Sequence, residues 1–302
     1  MSSPFSGRRA LRTASALTLT LGSGLAATFL AAGPASAAAP ATAAFSPSDH
    51  AIDYTAAAGQ VNKVTITATQ AAGSTEITYV IDDDVTITAG DGCTYPSGTD
   101  HTKVSCTVTT LDSQDPYAAL NVDLGDEDDT AAYDNTTGQT YYFAGIDLGA
   151  GKDTYTETGS VQGNDINGGT GDDQLTAGRY SVVRGDDGND VIHTSAGAIA
   201  QGNNGNDTIY ADGSGTSADG GAGNDYLYGG DGRQDLYGGD DNDHLYGGKG
   251  DDYLYGGKGD DVLYGNSGAD TLYGNSGDDQ LYGGPDTDFL SGGPGTNIVH
   301  QD

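Results

Sequence analysis

The chain has 302 residues, with 44 Asp and Glu against 11 Lys and Arg, a net charge of −33; 50 residues are glycine and only 35% are hydrophobic. Such a balance excludes binding to nucleic acid or to an anionic membrane surface, because both would be repelled. High charge with low hydrophobicity also describes a chain that does not fold unaided, unless a ligand of opposite charge joins it.

Residues 1–39 contain no acid. Arg8, Arg9 and Arg12 form a basic start, an apolar stretch follows from Ala14 to Leu30, and Ala35-Ser36-Ala37 supplies a small-residue cleavage pattern. This order predicts a signal peptide over 1–39 and a secreted, extracellular product. No later apolar run is long enough to span a bilayer, so no membrane insertion is expected after cleavage. The two cysteines, Cys93 and Cys106, fall in the exported part and are expected to pair. The bridge would be worth about 3 kcal/mol in the chain-entropy model. The five histidines, His50, His101, His193, His244 and His300, show no zinc-ligand spacing.

A small β-sandwich-like domain with one disulfide is expected over 40–120. Val61–Thr67, Glu76–Ile81 and Val85–Thr88 alternate polar and apolar residues and are bounded by Gly, Asp or Asn, as strands are. Asp82-Asp83-Asp84 reads as an acidic turn between strands rather than as a cation site. Residues 121–167 read as a transition with degenerate repeats: Leu124–Asp129 and Leu148–Asp153 are weak versions of the glycine- and aspartate-rich unit that dominates the carboxyl-terminal half.

From Gly220 a nine-residue period runs unbroken to His300. Its eighth position is Leu227, Leu236, Leu245, Leu254, Leu263, Leu272, Leu281, Leu290 and then Val299. Its ninth is tyrosine from Tyr228 to Tyr282. Its sixth is almost always Asp, with Gln234 and Asn297 as exceptions. Upstream, good units start at Gly168, Gly185 and Gly202, about one double unit apart, with poor units between them. The Gly-rich half of each unit predicts a tight turn. The Leu-containing half predicts a very short strand with one inward side chain. Two units then close one coil, and successive coils stack at about 4.8 Å.

Turns two units apart would lie above one another. One edge would carry Asp173, Asp190, Asp207, Asp225, Asp243, Asp261 and Asp279; the other would carry Asp252, Asp270 and Asp288. Stacked carboxylates repel unless a cation lies between them. A shell of carboxylate and carbonyl oxygens selects Ca²⁺ over Zn²⁺, Cu²⁺ or Mg²⁺. The six gaps of the first column and two of the second predict eight sites.

These units resemble the G-G-x-G-x-D-x-U-x nonapeptide of the RTX (haemolysin-type) calcium-binding proteins. The resemblance implies an all-β chain whose carboxyl-terminal part, 168–302, is a parallel β-roll, with the ten named Asp residues as calcium ligands. The amino-terminal signal departs from the carboxyl-terminal export signal usual among that family's Gram-negative members. No catalytic motif is visible: there is no H-E-x-x-H, no G-x-S-x-G and no paired His with a nucleophile. The first reading is therefore a secreted, non-enzymatic protein whose repeats fold on binding Ca²⁺. Two rivals stand beside it: a calcium-dependent adhesin or polysaccharide-binding module, and an accessory module of a secreted enzyme. The tyrosine column reads either as a stiffening ladder or as a sugar-stacking strip.

Overall fold

The computed structural model describes residues 38–111, 115–138, 142–159 and 163–301. The expected signal segment lies outside the described residues except for its last two. Among the described residues there is no helix, and the strands form two sheets facing each other across one core.

The expected amino-terminal strands are present as Lys63–Gln70, Glu76–Asp82 and Ile87–Ala89. The second is antiparallel to both neighbours, with Ile66 opposite Ile81 and Tyr79 opposite Cys106, while the first also pairs in parallel and the third pairs in parallel with Ala41–Ala43. Cys93 faces Cys106 across an antiparallel pair, and a disulfide joins them. Apolar residues alternate inward, placing Ile66, Ile77, Tyr79, Ile81, Val104 and Val108 in the core.

From Tyr117–Asp123 onward the strands alternate between the sheets, and each pairs in parallel with the strand one coil earlier. The two sheets cross the expected boundaries near 120 and 167 without interruption. Ala51–Thr55 pairs with Tyr117–Asp123, and Lys63–Gln70 with Thr130–Asn135, so the sandwich strands form the first rung of the solenoid. The coil shortens as it proceeds. Val122 stands beside Ile146, Ile146 beside Ile166, Ile166 beside Val183, and Leu236 beside Leu254, spacings of 24, 20, 17 and 18 residues.

One inward side chain per strand fills the roll, joined in three strands by the small Ala177, Thr194 and Ala211. In the second sheet the buried column is Tyr155, Leu175, Ile192, Ile209, Leu227, Leu245, Leu263 and Leu281. A single leucine per nine residues is thin support for so much ordered chain. The longer amino-terminal strands bury two or three apolar residues each and have no such deficit.

The tyrosines stack on one another along the outer faces. Tyr210, Tyr228, Tyr246, Tyr264 and Tyr282 have ring centroids 5.1, 5.0, 5.2 and 4.8 Å apart. The rings are within 13° of parallel, and His193 and His300 close the two ends. Offset aromatic pairs of this kind contribute about 0.5–1.5 kcal/mol each. Their faces are covered by each other, so within the ladder a sugar meets only ring edges.

Asp82-Asp83-Asp84 joins two strands, as expected, with Asp84 exposed, but its middle member is buried. Asp83 is 4% exposed. Its carboxylate accepts from the Tyr54 hydroxyl, the Asn62 side-chain amide, and the backbone N–H groups of Lys63 and Asp84. Asp83→Ala would strand those donors in the core. It is expected to cost about 3 kcal/mol, read as a lower urea midpoint by circular dichroism.

Candidate metal centre

Each good repeat begins Gly-Gly-x-Gly or a close variant, and its second and fourth positions adopt left-handed backbone. Gly257 and Gly259 have φ of 120° and 126°. Where glycine is replaced there, the substitute is usually Asn or Asp, the side chains that best tolerate this region: Asn266 and Asn275 at 71°, Asp241 at 79°, Asp286 at 90°. The turn reverses the chain and carries the sixth-position Asp inward at the sheet edge.

The aspartates form buried files. In the first, the backbone N–H of Asp173 donates to Oδ1 of Asp190 at 2.8 Å, Asp190 to Asp207 at 2.7 Å and Asp207 to Asp225 at 2.7 Å. The same link joins Asp225 to Asp243, Asp243 to Asp261 and Asp261 to Asp279, at 2.8, 2.9 and 3.0 Å. In the second file Gln234 donates to Asp252, Asp252 to Asp270 and Asp270 to Asp288. One carboxylate oxygen of every member is thus spent as a strut to the preceding coil.

The other oxygen is not. Oδ2 of Asp173, Asp190, Asp207, Asp225, Asp243, Asp252, Asp261, Asp270 and Asp279 is buried and accepts no hydrogen bond. These side chains are at most 1% exposed. Asp288 differs: it is half-buried, and its Oδ2 accepts from the Gln301 side-chain amide at 2.9 Å. The ion pairs among the described residues, such as Lys258–Asp240 and Arg184–Asp165, lie outside the files.

Burial, reinforced by neighbouring carboxylates, makes charge on these groups costly. It pushes Asp173, Asp207, Asp252 and Asp261 up to about 7. Asp190, Asp225 and Asp270 reach about 6. Asp243, flanked by Asp225 and Asp261, rises to about 8.

The unpartnered oxygens share a small space with backbone carbonyls. A Cβ built on Gly247 would lie 2.7 Å from Asp252 Oδ2 and 2.7 Å from the Gly265 carbonyl oxygen of the next coil. On Gly168 it would lie 2.5 Å from Asp173 Oδ2 and 2.8 Å from the Gly185 carbonyl oxygen. No three His, Cys, Asp or Glu side chains converge among the described residues. Each cradle instead offers a free carboxylate oxygen with carbonyl oxygen, a hard donor set that fits Ca²⁺.

Segments 158–179, 181–198, 199–214, 213–239, 228–263, 237–272 and 264–299 match the family model of the RTX calcium-binding nonapeptide repeat. Residues 158–299 are RTX calcium-binding repeats. No curated protein is significantly similar to the chain.

The first file extends upstream beyond the RTX repeats. Upstream, Asp129 donates its N–H to Asp153 and Asp153 donates to Asp173, and both have an unpartnered Oδ2. There, however, Leu124 and Leu148 stand where the RTX repeats have their first glycine, so carbon occupies the corresponding position. Beyond them Asn62 donates to Asp129, and at the far end Asn297 accepts from Asp279. The file therefore begins and ends on an uncharged amide. Glycine-to-aspartate spacing in 125–129 and 149–153 signals the two extra members; nothing local marks Asn62.

A further ladder runs outside the buried file. Asn189 donates its N–H to Asp172, Asn206 to Asn189, Asn224 to Asn206 and Asn242 to Asn224. Its signal is the Asn or Asp recurring just before each buried aspartate. On the second edge the equivalent upstream places are Asn164, Ser181, Ala198, Thr216 and Gln234, none of them acidic.

Substituting the first glycine of an RTX turn tests the cradle. Gly247→Ala is expected to remove about one or two bound metals and to raise the calcium midpoint of folding, because its Cβ fills the shared space. Elemental analysis of the dialysed protein reads the count.

Proposed function

We propose that the chain is a secreted, non-enzymatic calcium-binding protein whose RTX roll becomes rigid when Ca²⁺ is bound. Asp173, Asp190, Asp207, Asp225, Asp243, Asp261 and Asp279 hold the metal on one edge, with Asp252, Asp270 and Asp288 on the other. The observation that carries this reading is the run of buried carboxylate oxygens with no partner beside a carbonyl of the next coil. Leaving such groups unpaired is expensive, and no protein donor reaches them. Calcium, when bound, supplies the positive charge and the oxygen-seeking coordination that these atoms lack. Asp129 and Asp153 would be the weakest members, because a leucine replaces the first glycine of their turns.

Export is supported by the basic and apolar start with its small-residue site, and by the Cys93–Cys106 disulfide. Extracellular calcium then meets a roll that stays unfolded before export. Calorimetric titration with calcium, paired with a metal count, tests the reading. About eight ions bound cooperatively is the expected result. A count near zero, or one unchanged by Asp243→Asn combined with Asp261→Asn, overturns it.

A further inference from the structure

The second edge loses its acids between Asn164 and Thr216, and a depression of about 500 Å³ opens beside that stretch. It is lined by Thr176, Ala177, His193, Thr194, Asp212 and Gly213, among others. His193 is the terminal ring of the long aromatic ladder. One face stacks on Tyr210, with centroids 4.3 Å apart and planes 5° from parallel. Its register partner in the preceding coil is Thr176, which carries no ring. The ladder therefore leaves an aromatic face without a ring neighbour at this point, and the depression is lined by His193 and by residues of the coils on either side of it.

Polar groups of both neighbouring coils lie near the imidazole. The Asp212 carboxylate stands 3.6 Å from Nδ1 of His193 and remains largely exposed. Thr176 is exposed as well. The Thr194 hydroxyl already donates to the Tyr210 carbonyl, so it is not free to turn toward a ligand as a donor. An aromatic platform with a carboxylate acceptor and a hydroxyl at its rim matches a pyranose ring. The C–H face of such a ring is apolar, and its edge is lined with hydroxyl donors. The volume falls in the range of about 300–1,000 Å³ typical of small-ligand sites, enough for one or two sugar rings. The net charge of −33 selects against uronates and sulfated sugars.

We propose that this depression is a subsite for a neutral oligosaccharide. His193, held by its stack on Tyr210, is the stacking platform, and Asp212 accepts from vicinal hydroxyls. Thr176 contributes at the rim. The subsite rests on the calcium-folding reading, because strands from successive coils form it, but it uses none of the calcium carboxylates.

The test uses the full chain in excess calcium, with its β content first verified by circular dichroism. The probes are maltotriose, cellotriose and chitotriose, with trigalacturonate as the charged control. Imidazole resonances in ¹H–¹³C spectra report contact. At least one neutral trisaccharide is expected to shift a single histidine. Affinity read by calorimetry, which needs no histidine reporter, is expected to vanish in His193→Ala, survive in His193→Phe, and weaken about tenfold in Asp212→Asn. Failure of all three neutral probes, preference for the uronate, or equal binding by His193→Ala overturns the proposal. Failure of the calcium reading shows separately, as β content that does not depend on calcium before any sugar is added.

Discussion

Chelating calcium at neutral pH is expected to abolish most of the β signal of the chain, and restoring calcium to recover it. The roll buries mostly one aliphatic side chain per strand, while its two edges collect carboxylates that are at most 1% exposed and lack a partner for one oxygen. Without a cation these groups must be charged in a dry site or take up protons, and either opposes the fold near neutrality. Binding free energy is then folding free energy. The loss is expected to be unequal along the chain. Residues 41–109 have a denser core, a disulfide and the Asp83 network, so their amides should stay protected from hydrogen exchange when the repeats no longer are. Circular dichroism with and without chelator, followed by exchange, makes the measurement. Equal β content in both conditions would sink the coupling.

Acid is expected to do part of calcium's work. In the metal-free fold Asp173, Asp190, Asp207, Asp225, Asp243, Asp252, Asp261 and Asp270 are raised to about 6–8, against the ordinary carboxylate value near 3.8. Because the folded form keeps its protons to higher pH than the unfolded form, it is favoured where those protons are held. That stabilisation is fully present below about pH 4 and is lost as pH rises through about 6–8. A chelated sample should therefore gain β structure on going from about pH 8 to about pH 5, the reverse of ordinary acid denaturation. Calcium affinity should fall over the same interval, since protons and metal compete for the same oxygens. Asp243 is raised furthest, so Asp243→Asn should reduce the pH response in chelator while weakening calcium binding. A pH series of circular dichroism spectra in chelator decides it, and a flat or falling β signal toward acid would refute the account.

The order of the repeats is legible because it is written locally. A nine-residue period, glycine in its first half and leucine in its second, defines turn and strand wherever it occurs. Counting alone places Asp173 through Asp279 and Asp252 through Asp288 in two columns. The structure adds Asp129 and Asp153 to the first column, where the coil is 24 and then 20 residues long and a leucine replaces the first glycine. Counting in nines fails when the coil length changes, although the hydrogen bond across the coils persists. Asp83 escapes a local reading for a related reason. Three consecutive acids suggest a turn between strands, which they form, and only the arrival of Tyr54 and Asn62 from other parts of the chain makes the middle one a buried hub.

By itself, the amino-acid sequence determined the repeat, the alternation of turn and strand, the inward leucines, the acidic edges and the hard divalent ion they suit. Each of these comes from chemistry within one or two units. The tertiary structure decided what each atom is free to do. It spends Oδ1 of every file aspartate on the preceding coil and, Asp288 excepted, leaves Oδ2 buried without a partner. It ends the long file on Asn62 and Asn297, turns the tyrosines face to face, and leaves the terminal ring, His193, beside an open depression. Those outcomes depend on contacts between coils some 17 to 24 residues apart, and such contacts exist only once the coils are stacked.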